Sequence, residues 1–271
     1  MRIALIQMDV ISGDERANRE AALSGIREAA RGGADLALLP ELWNAGYVWR
    51  EGEGYRGSRD VRDFAVDFSS SQGLVADLAD TARENEIWIA AGSLPEYSGD
   101  GVYNATAVFD NAGKLAHHYR KVHLIGLMDE DRHLIPGEDC ATFDLDGIPA
   151  GAFICYDLRF PELGRTLFVA GAKLLLVPAQ WPSVRSDHWR ALLIARAIEN
   201  QCFVAACNRV GVGGPDDFAG GSMIVDPAGE VLVEGDDRAG VMFADLDFDR
   251  VDRMREVLPC LSDRRPEVYR L

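Results

Sequence analysis

The chain has 271 residues, and 28 lysines and arginines against 44 aspartates and glutamates give a formal net charge of −16. This length is typical of one large α/β domain, and 48% hydrophobic residues supply a sizeable core, which excludes disorder for most of the chain. The acidic charge repels phosphate backbones and anionic lipid, so neither nucleic acid nor a membrane is an expected partner.

Two further features bear on the compartment. The first ten residues resemble a strand more than a signal peptide, and no apolar run approaches the roughly 20 residues that a membrane helix needs. The five cysteines are an odd number without Cys-x-x-Cys pairs, which disfavours a disulfide framework and a structural zinc site. We therefore expect a cytoplasmic protein.

Short apolar runs alternate with amphipathic segments along the chain. Helices are predicted over 15–31, 72–84, 162–170 and 187–200. Strands are predicted over 3–8, 36–39, 87–92, 102–109, 115–120, 142–145, 149–154, 174–177, 203–207, 223–225, 231–233 and 240–246. A polar, glycine-rich stretch over 44–60 interrupts this pattern.

The order of these elements predicts the architecture. Strands that alternate with helices make layered α/β folds, and turn residues such as Asn111-Ala112-Gly113 and Asp146-Gly147 predict hairpins, which make the sheets mixed. We predict one domain over 1–271. Its charged segment 252–271 is either a C-terminal arm on a neighbouring subunit or a loose tail.

Three reactive side chains follow predicted strands. Glu41, Lys121 and Cys155 each stand where a strand-like run ends, and ligand sites of α/β folds are built at the carboxyl ends of strands. Each signal alone is weak, because a cysteine there is more often an inert core residue. Together, a thiol, a carboxylate that could take its proton and an ammonium that could stabilise an oxyanion with the Tyr156 N–H make an acyl-transfer site.

Other catalytic arrangements fit the sequence less well. No serine has a Gly-x-Ser-x-Gly context, and a cysteine–histidine dyad would need His188 or one of the clustered histidines at 117, 118, 123 and 133. Those four lack the spacing of a zinc site, so we predict no metal site. Glycines at 211, 213 and 214 precede no predicted helix, which disfavours a dinucleotide cradle.

Three motifs, which follow one another in a fixed order along the chain, are similar to those of a known family. They are Leu39-Pro40-Glu41, Tyr119-Arg120-Lys121-Val122-His123-Leu124 and Cys155-Tyr156-Asp157-Leu158-Arg159-Phe160-Pro161-Glu162. With them, nearly the whole chain resembles the nitrilase superfamily of carbon–nitrogen hydrolases. The resemblance implies a catalytic triad of Glu41, Lys121 and Cys155, to which Glu130 adds a second glutamate.

The resemblance also implies a fold, an assembly and a branch. The fold is a four-layer α-β-β-α sandwich with two mixed sheets, the assembly is a homodimer or larger homo-oligomer, and no metal or organic cofactor is required. Tyr156-Asp157 stands where true nitrilases usually have Trp-Glu. Segments at 181–189, 195–200 and 207–211 resemble the bacterial ω-amidase branch, whose substrates are small 2-oxo acid amides such as 2-oxoglutaramate.

An ω-amidase must also hold the far carboxylate of its substrate. Arg185 is the first candidate because arginine binds carboxylates bidentately, and Arg159 is its competitor. Trp181 and Phe160 are candidates for apolar pocket walls. The alternatives are an aliphatic amidase, an N-carbamoyl amidohydrolase or a nitrilase with the same triad, and, from another class, a non-catalytic ligand-binding protein.

Overall fold

Two mixed β-sheets face each other. In a computed structural model, which describes residues 1–51 and 54–269, the first sheet contains seven strands and the second contains six. The strands of the first sheet are β1 (Arg2–Gln7), β2 (Leu36–Leu38), β3 (Trp88–Ala90), β4 (Leu94–Ser98), β5 (Gly101–Phe109), β6 (Leu115–Arg120) and β15 (Gly240–Asp245). The strands of the second are β7 (Thr142–Leu145), β8 (Ile148–Ala152), β9 (Leu174–Pro178), β10 (Phe203–Cys207), β13 (Met223–Val225) and β14 (Val231–Glu234).

Each sheet has a parallel centre with antiparallel neighbours. The first sheet has the order β15-β1-β2-β3-β5-β4, with β6 also paired to β5, and the second has the order β14-β13-β10-β9-β8-β7. Strands β1, β2 and β3 run parallel, as do β8, β9 and β10. A separate hairpin pairs β11 (Val210–Gly213) with β12 (Asp216–Ala219).

Helices cover both outer faces of the sheet pair. α1 (Glu15–Arg31) and α2 (Gly73–Glu84) cover one outer face, and α4 (Pro161–Val169) and α5 (Ser186–Asn200) cover the other. The remaining helices are the single turn α3 (Glu130–His133) and α6 (Asp249–Val257). α1 begins where the Asp14 carboxylate accepts a hydrogen bond from the Ala17 N–H at 3.1 Å, which caps the first turn. None of the described helices is long and apolar enough to cross a membrane.

Alternation along the strands fills three apolar layers. Ile3 and Leu5 of β1 face the second sheet, whereas Ala4 and Ile6 face α1 and α2. On the far side, α4 and α5 pack against the outer face of the second sheet. The predicted α-β-β-α sandwich is confirmed.

Several elements differ from the sequence-based prediction. β4 was not predicted, because Pro95 and Glu96 break its apolar alternation, and the glycine-rich β11–β12 hairpin was not predicted either. Within the predicted polar stretch 44–60, residues 44–49 are buried and include the fully buried Trp49. Trp43, directly before the stretch, is also fully buried. Residues 52 and 53 of that stretch lie outside the described residues.

The start of the predicted C-terminal arm belongs to this chain's own fold. Residues 252–257 lie in α6, where Val251 is fully buried and Arg255 donates to the Ala172 carbonyl at 2.6 Å. Lys173 also pairs with Asp252 at 2.7 Å. An arm that reaches a neighbouring subunit would therefore start after 257, and its last residues, 270 and 271, lie outside the described residues.

Candidate active site

The ends of strands from both sheets meet at one point. Glu41 follows β2, Lys121 directly follows β6, and Cys155 begins a short 3-10 turn (Cys155–Arg159) after β8. A fourth residue, Gln180, follows β9 and joins the two sheets, because its backbone N–H donates to Glu41 Oε2 at 2.9 Å. The convergence expected from strand ends is present.

Lys121 lies between two carboxylates. Its Nζ is 2.7 Å from Glu41 Oε1 and 2.7 Å from Glu130 Oε2, and all three side chains are completely buried. Burial alone would lower the pKa of Lys121, but the charges of Glu130 and Glu41 overcome it and raise this pKa above its usual range. The lysine therefore stays an ammonium at neutral pH.

Glu130 connects Lys121 with Ile125, a residue that lines the cavity at Cys155. Its Oε2 accepts the Lys121 ammonium and the Ile125 N–H, the latter at 2.9 Å. Burial raises the pKa of Glu130, although the charge of Lys121 opposes the rise. The sequence alone leaves open whether Glu130 orients Lys121 or the substrate; the structure places it in contact with Lys121, and its role in catalysis stays a prediction.

The two oxygens of Glu41 have different surroundings. Oε1 accepts hydrogen bonds from Lys121 at 2.7 Å, from the Tyr47 hydroxyl at 2.9 Å and from Asn104 Nδ2 at 2.8 Å. Oε2 accepts the Gln180 N–H. Because three donors already occupy Oε1, Oε2 is the oxygen better placed to receive a proton.

The Cys155 thiol is neutral at rest. Burial and the nearby charge of Glu41 raise its pKa well above the usual value, and Lys121 only partly offsets them. Its Sγ lies 3.7 Å from the Gln180 carbonyl oxygen. Cys155 has φ +48°, a left-handed conformation that a non-glycine residue adopts at some cost and that the surrounding contacts must hold.

Asp157 ties the cysteine turn to the lysine loop. Its carboxylate accepts hydrogen bonds from the Ile154 N–H at 3.0 Å, the Tyr119 hydroxyl at 2.7 Å and the His123 N–H at 2.9 Å. Tyr119 lies in β6 and His123 lies two residues after Lys121. One buried carboxylate thus fixes the position of Cys155 relative to Lys121.

The Tyr156 N–H is suited to an oxyanion. Within the described part of the chain no acceptor is bonded to this N–H, and Tyr156 lines the same cavity as Cys155. An unpaired backbone donor beside a nucleophile can stabilise the charge that develops on a carbonyl oxygen. Its use in the reaction stays a prediction.

A cavity of about 310 Å³ opens onto Cys155, at the lower end of the range for small-molecule sites. Three of the four predicted substrate-binding residues line it, namely Arg185, Arg159 and Trp181. The full lining among the described residues is Ile125, Leu127, Met128, Cys155, Tyr156, Arg159, Gln180, Trp181, Pro182, Arg185 and His188.

Phe160 is the exception. It does not contribute to the described lining of this cavity; its ring stacks on His123 at 3.6 Å between centroids and at 7°. The reason is that the 3-10 turn ends at Arg159, so that Phe160 begins the approach to α4 and faces the lysine loop. Phe160 therefore lies outside the described lining of this cavity, and its role as a pocket wall stays a prediction.

Sequence reasoning missed Tyr47, Asn104 and Gln180. Gln180 follows a strand just as the three predicted residues do, so the same rule would have found it. Asn104 was visible as a polar residue inside the apolar run of β5. Tyr47 carried no such signal, because its contact with Glu41 depends on how the buried stretch after β2 folds back.

The described residues contain no group of three or more histidine, cysteine, aspartate or glutamate side chains that could hold a metal ion.

Comparison with known proteins decides the family. The sequence model of the family described as carbon-nitrogen hydrolase matches residues 2–256. The chain is a carbon–nitrogen hydrolase of the nitrilase superfamily. It is an amidase of that family, and its fold matches solved structures of the superfamily.

Among the relatives of this carbon–nitrogen hydrolase, a 2-oxoglutaramate amidase of Bacillus subtilis (strain 168) is 39% identical over 267 residues, with 98% of each chain covered. A carbon–nitrogen hydrolase of Xanthomonas campestris, solved with an arsenic adduct in its active site, has a TM-score of 0.88 at 30% identity, covering 100% of this chain and 98% of the other.

A third comparison concerns chemistry. A mutant of the amidase from Nesterenkonia sp. AN1 carries the acetamide moiety of fluoroacetamide covalently on its active-site cysteine. It has a TM-score of 0.83 at 29% identity, and the match covers 99% of this chain and 95% of the other. An active-site cysteine is thus a known feature of the family to which this chain belongs.

Proposed function

We propose that this amidase is an ω-amidase that hydrolyses the terminal amide of a small 2-oxo acid amide such as 2-oxoglutaramate, with Cys155 as the nucleophile. One observation carries the substrate class. Arg159 and Arg185 line the Cys155 cavity, and within residues 1–51 and 54–269 neither forms an ion pair with a carboxylate. In a chain of net charge −16, two unpaired arginines at one cavity favour an anionic ligand.

The two arginines are held in different ways. Arg159 lies 4.6 Å from the Trp181 ring centroid and its Nη2 lies 3.5 Å from His188 Nδ1. Arg185 lies at the end of a 3-10 turn, where its carbonyl accepts the Trp181 indole N–H at 2.8 Å and its side chain stays available. We assign the distal carboxylate of the substrate to Arg185, with Arg159 next to it.

In the first half-reaction Glu41 Oε2 accepts the thiol proton as Cys155 Sγ attacks the amide carbonyl. The resting thiol is neutral, so this transfer accompanies the attack. Collapse of the tetrahedral intermediate breaks the C–N bond, and the proton on Glu41 passes to the departing amine to give ammonia. Cys155 is left as a thioester.

In the second half-reaction Glu41 takes a proton from water, which attacks the thioester carbonyl. The C–S bond breaks, the proton returns to the sulfur, and the product is a carboxylic acid. Atoms and protons balance with water as the only co-reactant. Both tetrahedral intermediates carry an oxyanion that needs donors.

Lys121 and the Tyr156 N–H are our proposed oxyanion donors. The three N–H groups of the Lys121 ammonium already bond to Glu41, Glu130 and Tyr47, and the bond to the Tyr47 hydroxyl is the longest at 3.2 Å. The oxyanion would therefore replace Tyr47 as the third acceptor. Burial raises the pKa of Tyr47 well above its usual value, so its hydroxyl keeps its proton and continues to donate to Glu41.

The proposal is tested by ammonia release from a panel of 2-oxoglutaramate, butyramide, an N-carbamoyl amino acid and a small nitrile. We expect the highest kcat/KM for 2-oxoglutaramate, because its distal carboxylate can use both arginines. A preference for butyramide would assign the chain to the aliphatic amidases. Release from none of these compounds would overturn the proposal.

A substitution at Arg185 tests the substrate class directly. Arg185→Ala should lower kcat/KM for 2-oxoglutaramate by about 10- to 150-fold, because a charge-assisted hydrogen bond contributes roughly 1.5 to 3 kcal/mol. Butyramide has no group that uses the arginine, so its kcat/KM should change by less than about threefold. Steady-state kinetics with both substrates measure the difference.

Arg190→Ala is the matched control. Arg190 lies five residues later on α5, pairs with Glu234 at 3.1 Å and is outside the described cavity lining. Its removal should leave both substrates unaffected. Equal losses for the two substrates in Arg185→Ala would show that Arg185 is not the specificity residue, and a selective loss in Arg159→Ala alone would transfer the role to Arg159.

A further inference from the structure

An arginine is buried behind the active site. Arg209, two residues after β10, is fully buried, and its guanidinium lies 4.6 Å from the centroid of the Phe218 ring. Burial lowers its pKa to about 10, so it remains charged at neutral pH. A buried cation is expensive unless it is fully hydrogen-bonded, so its partners indicate what it does.

The partners of Arg209 are mostly carbonyl oxygens. Its Nη2 donates to the Val10 carbonyl at 2.7 Å and the Val212 carbonyl at 3.0 Å, and its Nε to the Val210 carbonyl at 3.0 Å. Its only carboxylate partner in the described chain, Asp9, lies 3.3 Å away and is 59% exposed. These bonds hold the guanidinium rigidly and leave Nη1 directed at Gln180.

Arg209 fixes which way the Gln180 amide points. Nη1 donates to Gln180 Oε1 at 3.3 Å, and a guanidinium has donors only, so the amide must present its oxygen to Arg209. The amide nitrogen is thereby turned to the opposite side. There it donates to the Glu41 carbonyl at 2.7 Å and the Leu42 carbonyl at 3.4 Å.

Those two carbonyls belong to a strained turn. Leu42, directly after Glu41, has φ +40°, which a leucine adopts only when its surroundings hold it there. The Gln180 side chain holds this turn through its two hydrogen bonds, and the Gln180 backbone lies between the Glu41 carboxylate and the Cys155 thiol. Its N–H donates to Glu41 Oε2 and its carbonyl oxygen lies 3.7 Å from Cys155 Sγ.

We propose that Gln180, oriented by Arg209, is a positioning residue that places the Glu41 carboxylate against the Cys155 thiol for proton transfer. Arg209 acts through Gln180 and touches neither reacting group. The proposal rests on Glu41 and Cys155 as base and nucleophile, as proposed above, and does not depend on which amide is the substrate.

Gln180→Met tests the positioning role. Methionine nearly conserves the volume of the side chain and keeps the backbone N–H and carbonyl. It removes the amide that donates hydrogen bonds to the Glu41 and Leu42 carbonyls. We expect kcat to fall by about 10- to 100-fold with KM within about threefold of the parent, since a displacement of about 1 Å is enough for such a loss. The substrate is whichever amide of the panel the parent hydrolyses fastest.

Gln7→Met is the matched control. Gln7 is buried like Gln180, its amide donates to the carbonyls of Asp236 and Arg238, both at 2.7 Å, and its Oε1 accepts the Ser222 N–H at 3.0 Å. The two variants lose the same kind of bonds, so both should lower Tm. Only Gln180→Met should lower kcat.

Arg209→Lys completes a double-mutant cycle. Lysine keeps the charge but lacks the planar fork, so the amide orientation is less well defined, and kcat should fall about 3- to 30-fold in the parent background. In the Gln180→Met background the same change should alter kcat by less than about twofold, because no amide remains to be oriented.

Three outcomes would overturn the proposal. They are a folded Gln180→Met enzyme with parent kcat, equal loss of kcat in Gln180→Met and Gln7→Met, and an increase in KM alone, which would make Gln180 a substrate-binding residue. Additive effects of Arg209→Lys and Gln180→Met would overturn the link to Arg209. Failure of the proposed catalytic roles would be seen separately, as activity in Cys155→Ala.

Discussion

Cys155→Ala should lower kcat by on the order of 10⁴-fold or more, because without the sulfur no thioester can form. The fold should persist. The substitution removes one atom at the edge of a cavity, so the free energy of unfolding should change by less than about 1 kcal/mol. Ammonia release measures the first effect and thermal unfolding the second.

Cys202→Ala provides the comparison. Cys202 is also buried, and burial raises its pKa to about 12, but it lies between α5 and β10 away from the cavity. Its loss should leave kcat unchanged. Appreciable turnover by Cys155→Ala would reject Cys155 as the nucleophile, whatever the effect of Cys202→Ala.

Alkylation gives the same assignment without a substitution at the cysteine. Iodoacetamide should modify Cys155 faster than the other four cysteines, even though the pKa of the resting thiol is raised, because Glu41 can take the proton as sulfur attacks. Replacing Glu41 by glutamine should therefore slow modification of Cys155 and leave that of Cys140 unchanged. Peptide mass spectrometry over time follows both sites.

The layered fold could be predicted because the burial of a strand shows in its sequence as a pattern of apolar residues. Leu5 faces the second sheet while its neighbour Ile6 faces α1, and that alternation is present in the sequence. The helix over Glu15–Arg31 was predicted with both bounds correct, since Asp14 caps it and two glycines follow it. Local signals of this kind are independent of the rest of the chain.

The site was predictable only in part, for a physical reason. Glu41 and Lys121 could be paired in advance because strand ends gather at one edge of a sheet, and the structure places them in contact. The contact between Gln180 and Glu41 joins two different sheets. No periodicity in the sequence gives the register of one sheet over the other, so contacts of this kind appear only with the fold.

Buried polar groups were the hardest to predict. Asn104 and Arg209 are completely buried, and composition alone places such residues at the surface. The Asn104 amide nitrogen donates to Glu130 and the Arg209 guanidinium donates to the Val10 carbonyl, and these partners come from distant parts of the chain. Residue type alone therefore gives the wrong exposure for polar residues that are buried in and around the active site.

Lys121→Arg should lower kcat on the order of 10²-fold or more, although the charge is kept. Three acceptors surround Nζ, namely Glu41, Glu130 and the Tyr47 hydroxyl, and a single ammonium nitrogen serves all three. A guanidinium is larger and planar and spreads its donors over three nitrogens, so it cannot reproduce this arrangement in a fully buried space. Proton transfer to Glu41 and stabilisation of the oxyanion should both suffer.

Lys173→Arg is the control for the Lys121 substitution. Lys173 precedes β9 and pairs with the half-exposed Asp252, a contact that arginine can also make, so kcat should stay at the parent value. Overpacking by Lys121→Arg could also cost about 1 to 3 kcal/mol of stability, so kcat is expressed per folded enzyme, with the folded fraction taken from thermal unfolding. A folded Lys121→Arg enzyme with near-parent kcat would mean that Lys121 contributes only charge, and the oxyanion would then depend on the Tyr156 N–H alone.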